Sequence, residues 1–217
     1  MALAAICIMP SCMNNTTNGH EWVDLGLPSG TLWATCNVGA HSPEEYGDYF
    51  AWGETMPKDT YDMGTYIFKG GFFKELTKYC SDSNHGYNGF TDNLIVLQPS
   101  DDAATVNWGS DWSMPTKEQW RELVQNTSSI WTIQNGVNGR LFTANNGNTI
   151  FLPAAGGYWD NNLIGNGEIG NYLSSSLNTD YPYSTWYLIF RADDYDINCN
   201  GGYRFIGKPV RAVCYKR

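Results

Sequence analysis

The chain has 217 residues, of which 42% are hydrophobic and 15% aromatic, so it can bury a sizeable core. Its formal net charge of −9 argues against nucleic acids and anionic membrane surfaces as partners, because both repel an acidic protein. Charged residues make up only 16%, whereas Gly, Asn, Ser and Thr abound. This composition favours an extracytoplasmic, loop-rich protein over a cytosolic enzyme.

The first twenty residues differ from the rest of the chain. Residues 1–10 form an apolar run that is too short to span a bilayer, and Cys12 follows the small residue Ser11. Polar, turn-rich residues come next. This order resembles a bacterial lipoprotein signal in which Cys12 is lipidated, although the run lacks basic residues; the alternative is a frayed apolar N-terminus. We expect residues 1–20 to be a signal and tether, and residues 21–217 to form one domain.

The next hundred residues contain few regular elements. Residues 21–25 alternate like a strand, and a Pro-Ser-Gly turn leads into a second strand over residues 31–38. Residues 58–99 are predicted to be a loop-rich insertion, with one helical turn at 72–79. Ser100 is predicted to cap a short helix.

The strongest helix signal starts at Thr116. Thr116 and Gln119 have the spacing of a capping box, in which each side chain satisfies a free backbone N–H. Trp120, Leu123 and Val124 then form an apolar i, i+3, i+4 stripe. Strand-like runs separated by Gly and Asn turns follow at residues 130–134, 141–144, 149–153, 172–176, 185–191 and 210–215. The pattern predicts an α+β fold with two or so helices, short antiparallel strands and long loops.

The two faces of the 186–191 strand differ in chemistry. Alternation places Trp186, Leu188 and Phe190 on one face, and all three are large and apolar. The other face carries a phenol, an aliphatic chain and a guanidinium, from Tyr187, Ile189 and Arg191 respectively. We interpret the first face as core. The second has the mixed character of side chains that vary on a constant scaffold.

The cysteines predict no metal site. Apart from the two cysteines in the leading segment, the chain has Cys36, Cys80, Cys199 and Cys214, and their spacing fits no zinc motif. Four cysteines allow three full disulfide pairings; Cys36 and Cys214 lie in strand-like runs and are our candidate bridge, whereas Cys199 lies in a polar loop. The acidic cluster near Asp194 lacks a complete calcium loop. We expect no metal and no cofactor.

Several segments together resemble a known family. They are WVDLGLPSGTLWA at 22–34, YGDYFAWGE at 46–54, DDAA at 101–104, WSMPT at 112–116 and FLPAAG at 151–156. In combination they resemble the Fibrobacter succinogenes major paralogous domain family, and the motifs span about residues 21–214. The resemblance implies a C-type-lectin-like fold, in the branch shared with formylglycine-generating enzymes.

The C-terminal part, about residues 171–214, resembles the variable protein of a diversity-generating retroelement. Randomising both adenines of an Asn codon that ends in a pyrimidine cannot produce Lys, Glu, Gln, Met or Trp. Between Asp180 and Ile206 only Trp186 belongs to these five types. The resemblance implies a diversified ligand-binding face made of Tyr181, Tyr183, Ser184, Tyr187, Ile189, Arg191, Asp194, Asp196, Asn198, Cys199, Asn200, Gly201, Arg204 and Ile206.

The sequence favours a binding protein over an enzyme. It has no Gly-x-Ser-x-Gly elbow and no Ser-His-Asp order, and we predict no catalytic residue. We expect a monomeric protein that binds an unidentified protein or glycan, displayed on a bacterial surface by a lipid anchor or carried on a phage particle. The alternatives are a non-diversified adhesin or glycan-binding module of the same fold, and an enzyme of the formylglycine-generating type.

Overall fold

Short antiparallel strands and two helices make up the regular structure. The computed structural model describes residues 15–71, 75–198 and 202–216. No helix within these ranges is long and apolar enough to cross a membrane. The described helices are α1 (Ala103–Trp108) and α2 (Lys117–Asn126). The described strands are β1 (Thr16–Thr17), β2 (His20–Asp24), β3 (Thr31–Ala34), β4 (Tyr49–Phe50), β5 (Thr127–Gln134), β6 (Val137–Ala144), β7 (Thr149–Pro153), β8 (Gly157–Trp159), β9 (Asn162–Ile164), β10 (Gly170–Leu177), β11 (Thr185–Phe190), β12 (Tyr195–Asn198), β13 (Lys208–Pro209) and β14 (Val213–Tyr215).

The strands form small sheets, and every paired strand is antiparallel to its neighbour. One sheet has the order β1-β2-β3-β14, so the last strand lies beside an early one. Two three-stranded sheets follow the chain order, β5-β6-β7 and β10-β11-β12. Two-stranded pairs, β4-β13 and β8-β9, complete the described sheets. The coarse prediction of an α+β fold, mostly strand and loop, is confirmed.

Helix α2 forms where its capping box predicts. The Thr116 hydroxyl accepts from the Gln119 N–H (3.2 Å), and the Gln119 side chain accepts from the Thr116 N–H (2.8 Å). Trp120 and Leu123 are buried against β10 and β11, and the Trp120 indole N–H donates to the Leu173 carbonyl at 3.1 Å. The helix therefore covers one face of the β10-β11-β12 sheet.

The start of α1 differs from the prediction. Asp102, not Ser100, caps this helix: its carboxylate accepts from the Thr105 N–H (2.9 Å) and from the Met114 N–H (2.8 Å). Burial raises the pKa of Asp102. Because the carboxylate also binds the backbone twelve residues further on, at Met114, it satisfies more backbone donors than a Ser hydroxyl would. Residues 75–79, the described part of the predicted turn at 72–79, are not helical.

The predicted Cys36–Cys214 disulfide is wrong. Both thiols are free in the structure. Cys214 pairs in register with Leu32, four positions before Cys36 along the chain. Four residues of extended strand span about 13 Å, whereas the alpha carbons of a disulfide lie about 4.4–6.8 Å apart. The strands are adjacent as expected, but their register separates the two thiols.

Three groups of buried side chains form the core. The first is centred on Trp52 and Trp112, and the second on Trp33 and Trp120 with Phe190. The third is rich in tyrosine and lies below the C-terminal loops; its buried members are Tyr49, Ala51, Tyr61, Tyr66, Leu76, Cys80, Phe205 and Ile206. This third group reaches the surface through the loops that carry the candidate site.

Candidate ligand-binding surface

Five aromatic rings form a continuous band, which we call the aromatic ribbon. Tyr181 lies 6.0 Å from Tyr183, which lies 6.2 Å from Tyr203, measured between ring centroids. Tyr203 stacks on Phe205 at 5.4 Å, and Trp159 meets Phe205 edge-on at 5.6 Å. Tyr181 is 54% exposed and Trp159 is 41% exposed, while Phe205 is buried beneath them. The ribbon offers solvent a large, amphipathic contact area.

The backbone joins the two loops that carry the ribbon. The loop after β10 and the segment before β13 meet in an antiparallel bridge between Ser184 and Tyr203. The Thr185 N–H donates to the Gly202 carbonyl at 2.9 Å, and Tyr158 and Gly207 exchange backbone hydrogen bonds of 2.8 and 3.0 Å. The β8-β9 hairpin is thereby fixed beside the same segment. The rings consequently lie on one rigid surface although their positions span residues 159–205.

Arg204 anchors the ribbon from below. Its guanidinium donates to the carbonyls of Lys78 (3.0 Å) and Tyr79, and its centre lies 4.6 Å from the Trp52 ring. The backbone N–H of Trp52 donates to the backbone carbonyl of Arg204 at 2.8 Å. Burial lowers the pKa of Arg204, although the group remains a fully buried cation. Arg204 therefore holds the segment that carries Tyr203 and Phe205 onto the core.

A second exposed region lies at the turn between β11 and β12. Arg191, Asp194 and Asp196 are all exposed there. The Arg191 N–H donates to the Asp194 carbonyl at 2.7 Å, which closes the turn. Beneath it, Arg140 donates to the Arg191 carbonyl at 2.9 Å and lies 4.6 Å from the Tyr195 ring. This turn is polar and charged, unlike the ribbon.

A small pocket opens at the Trp159 end of the ribbon. We call it the hairpin pocket; its volume is about 160 Å³. It lies between the β8-β9 hairpin, the start of β10 and the loop before β13. Most of its walls are apolar or aromatic, and one wall carries an amide; the lining residues are Gly156, Gly157, Tyr158, Trp159, Ile164, Ile169, Asn171 and Ile206. A largely apolar pocket with few polar groups is the usual form of a ligand site.

A larger cleft, of about 420 Å³, lies on the β2-β3 side of the molecule. It is lined by His20, Cys36, His41 and Trp108, among others. The His20 ring stacks on Trp108 at 3.9 Å, and burial lowers the pKa of His20. The described residues contain no cluster of three His, Cys, Asp or Glu side chains arranged to hold a metal ion. We therefore assign no metal site to this cleft.

The structure divides the predicted binding residues. Among the described ones, the exposed or half-buried side chains are Tyr181, Tyr183, Ile189, Arg191, Asp194 and Asp196. Four other residues assigned to the binding face are buried, because the chain packs over them, and the predicted exposure of two of these, Tyr187 and Arg204, is wrong. The four are Ser184, Tyr187, Arg204 and Ile206. The side chain of Asn198 and the residues Cys199, Asn200 and Gly201 lie outside the part that the structure describes, as does Cys12.

Strand β11 explains these errors. Leu188 and Phe190 are buried as predicted, but Trp186 is only half-buried. Tyr187, predicted to be exposed, is 5% exposed. The alternation rule assumes that one face of a sheet meets solvent. Here helix α2 covers one face, while the segment carrying Gly202 and Lys208 covers Tyr187 on the other.

Sequence reasoning assigned none of Trp159, Tyr203 and Phe205 to the binding face. Tyr203 and Phe205 fall inside the predicted variable segment, and their i, i+2 spacing was the available signal. The exposure of Trp159 depends on its position at the tip of the β8-β9 hairpin. Spacing alone does not predict that tip.

Comparisons with models of protein families, with curated proteins and with solved structures gave no match. Fold and function are therefore argued from the residues themselves.

Proposed function

We propose that this protein is a ligand-binding protein whose contact surface is the aromatic ribbon. The observation that carries the proposal is the continuous contact between exposed Tyr181, half-buried Tyr183 and Tyr203, and exposed Trp159, over a buried anchor. Aromatic side chains give large contact area at low cost in rotamer entropy, and they dominate binding energy at interfaces. A rigid support below them limits the entropy lost on binding.

The ribbon sits on what we propose to be a C-type-lectin-like scaffold that a retroelement diversifies in its C-terminal part. Supporting this, six of the residues assigned to the diversified face are exposed or half-buried: Tyr181, Tyr183, Ile189, Arg191, Asp194 and Asp196. Substitutions at exposed sites usually change stability by less than about 0.5 kcal/mol, so such a face tolerates variation. Display on a bacterial surface through a lipid on Cys12, or on a phage, belongs to the same proposal.

The buried members of that set restrict the diversification proposal to fewer positions. Ser184, Tyr187, Arg204 and Ile206 support the fold, so diversification there would unfold most variants. We therefore place the varied positions on the exposed and half-buried side chains only. Sequencing the gene from many cells tests this: among the codons of the described positions, variation should be concentrated in the six exposed or half-buried ones rather than in the four buried ones, and a near-copy of the segment and a reverse transcriptase gene should lie nearby. Equal variation in buried codons, or none, would contradict diversification.

An enzyme of the formylglycine-generating type is less well supported. Such chemistry needs a reactive thiolate, and Cys214 is buried, with its pKa raised to about 11 by loss of solvation. Cys80 is also buried, and burial raises its pKa. Both thiols stay protonated near neutral pH, which argues against either of these two as the reactive group.

Ligand capture tests the ribbon directly. The protein is screened against glycan and peptide arrays, and each ligand found is titrated against Tyr181→Ala, Trp159→Ala and the control Tyr215→Ala. Tyr215 on β14 is 55% exposed, close to the 54% of Tyr181, but lies outside the ribbon. Loss of either exposed aromatic contact should weaken binding at least about tenfold, and the control should bind like the wild type. A ligand that binds all four proteins equally would refute the ribbon as the binding surface.

A further inference from the structure

Strand β5 forms one edge of the β5-β6-β7 sheet, and no described strand pairs with its outer side. It is eight residues long and pairs with β6 without a register shift, from Thr127 opposite Ala144 to Gln134 opposite Val137. A regular edge strand of this length presents a row of free backbone N–H and C=O groups, which can pair with another strand. The outer side of β5 is therefore a candidate interaction surface.

The hydrogen bonds of β6 show which backbone groups of β5 point outward. The Ala144 N–H donates to the carbonyl of Asn148, next to β7, at 2.9 Å, so Ala144 and every second residue before it on β6 point toward β7. In an antiparallel pair, the residue opposite one that points away also points away. The backbone groups of Ser129, Trp131 and Ile133 therefore face outward, and none of them makes a hydrogen bond to a described residue.

The edge of β5 lacks the features that usually prevent strand pairing. Natural edge strands carry charges, proline or a bulge. Residues 124–139 contain no ionisable side chain and no proline, and the regular register has no bulge. Ile130 is 61% exposed and Ile133 is 66% exposed. By contrast β12, which is an edge of the other three-stranded sheet, has the exposed carboxylates of Asp194 and Asp196 beside and within it.

The spacing of the outward residues fits a second copy of this chain. Two copies related by a twofold axis at Trp131 would pair Trp131 with its own copy, and Ser129 with Ile133 on either side. Each of these pairs is of the hydrogen-bonded type, in which the two residues exchange both N–H···O bonds. Ile133 of each copy would then lie diagonally opposite Trp131 of the other, on the same face of the sheet. The exposed isoleucine thus gains an apolar neighbour.

The distribution of charge also favours this edge for self-association. Each chain has a net charge of −9, so two copies repel each other overall. The uncharged stretch at 124–139 lets two strands approach with no like charges between them. The Glu44 carboxylate accepts hydrogen bonds from the side chains of Gln134 and Asn135, at the turn after β5, and so lies beyond the three pairs.

We propose that two copies of this protein associate through their β5 strands, which pair antiparallel about a twofold axis at Trp131. The pairing joins two three-stranded sheets into one continuous sheet, and the contact closes at two copies because both contribute the same surface. A dimer replaces the monomer expected from the sequence. The proposal is independent of the aromatic ribbon, whose residues lie on other elements.

Sedimentation equilibrium of the full chain across the micromolar range tests the association. The variants are Ile133→Lys, which places a charge on the pairing edge of each copy, and the control Ile164→Lys on β9, at an isoleucine that is 56% exposed. Both change the net charge equally, and both sites are exposed, so both variants should fold. The wild type and the control should show the same monomer–dimer equilibrium, whereas Ile133→Lys should raise the dissociation constant at least about tenfold.

Amide hydrogen exchange followed by NMR tests the strand pairing itself. The N–H groups of Ile130 and Thr132 point toward β6 and should exchange slowly at every protein concentration. Those of Ser129, Trp131 and Ile133 should exchange fast in dilute protein and slowly once the dimer forms. This alternation distinguishes a paired edge from an interface between two sheet faces.

Three outcomes would overturn the proposal. A wild-type monomer at every concentration would leave this edge to a strand of another protein and refute the second copy. A dimer that Ile133→Lys does not weaken would place the interface elsewhere. A dimer that forms without protecting the three outward amides would refute strand pairing. None of these results decides the aromatic ribbon, which the ligand titrations test separately.

Discussion

Arg204 and Lys208 are two buried cations only four residues apart, and they differ in their hydrogen bonds. The Arg204 guanidinium donates to two backbone carbonyls and lies over the Trp52 ring. Lys208 Nζ has a ring beside it but makes no hydrogen bond within the described residues. Arg204 lies under the middle of the ribbon, and Lys208 beside the pocket at its end. Two nitrogens of the Arg204 guanidinium thus have partners in the protein, although its Nε has none among the described residues, whereas the single nitrogen of Lys208 has none.

This difference separates a buried cation that supports the fold from one that does not. A buried charge that has hydrogen-bond partners in the fold holds loops together, since its removal leaves those partner groups unpaired. A buried charge without partners contributes no such support and costs stability. The comparison predicts opposite effects of removing the two side chains.

Replacing Arg204 should have the largest effect. Arg204→Met removes the hydrogen bonds to the Lys78 and Tyr79 carbonyls and leaves both buried acceptors unpaired, so we expect the free energy of unfolding to fall by about 3–5 kcal/mol. Urea denaturation measures this change. Arg191→Met, at an exposed arginine, is the matched control and should change stability by less than about 0.5 kcal/mol. A loss at Arg204 no larger than the control would show that the anchor does not stabilise the loops.

Replacing Lys208 should have the opposite sign. Lys208→Met exchanges an unpaired buried amine for an apolar side chain of similar length, so the free energy of unfolding at pH 7 should rise by about 1–3 kcal/mol. Thermal and urea unfolding without ligand provide the measurement, with Lys216→Met as the control for net charge. A destabilised Lys208→Met protein would mean that the amine has a stabilising partner, and the comparison with Arg204 would then fail.

The same lysine should make stability depend on pH. Burial lowers the pKa of Lys208 from its ordinary value of 10.5 to about 7. Between these values the unfolded chain holds a proton that the folded chain has released, so the stability of the wild type should rise with pH. From pH 7 to 8.5 we expect a rise of about 1–2 kcal/mol relative to Lys208→Met.

Other groups limit the useful pH window. Burial raises the pKa of Cys80, Cys214 and several tyrosines, so their contributions decrease stability as pH increases above about 9. Measuring both proteins at each pH cancels these contributions. Parallel pH profiles for wild type and Lys208→Met would show that Lys208 titrates normally and is accessible to water.

Local signals in the sequence were sufficient for the elements that depend on neighbours along the chain. The capping box at Thr116 and the Gly and Asn turns around residues 135–148 fix α2 and the β5-β6-β7 hairpins through contacts a few residues apart. Such contacts are visible in a short window of sequence.

The candidate site depends on contacts that no short window contains. Arg204 donates to carbonyls about 125 positions earlier in the chain, so its burial could not be predicted from the local sequence around it. The ribbon also brings together Trp159 and Phe205, which are far apart along the chain, through the Tyr158–Gly207 bridge. The prediction for the C-terminal region therefore assigned several of its side chains to the wrong environment.

Trp186 gives the smallest expected effect and tests the corrected description of β11. The indole is half-buried under helix α2, with Lys117 Nζ 4.5 Å and the Arg121 guanidinium 5.6 Å from its ring centroid. Cation–π contacts at partly exposed sites contribute about 0.5–1 kcal/mol each. A double-mutant cycle between Trp186→Ala and Lys117→Met should therefore give a coupling of about 0.5–1 kcal/mol in the free energy of unfolding.

The comparison residue for Trp186 is Leu188, two positions along the same strand and fully buried. Leu188→Ala should lower the free energy of unfolding by about 2–5 kcal/mol because it leaves a cavity in the core. Trp186→Ala should lower it by less, because the Trp186 ring is already partly exposed to water. The coupling should also shrink when salt is added, since the cations are partly exposed. A Trp186→Ala loss equal to that of Leu188→Ala, with no coupling to Lys117, would restore the original assignment of Trp186 to the core.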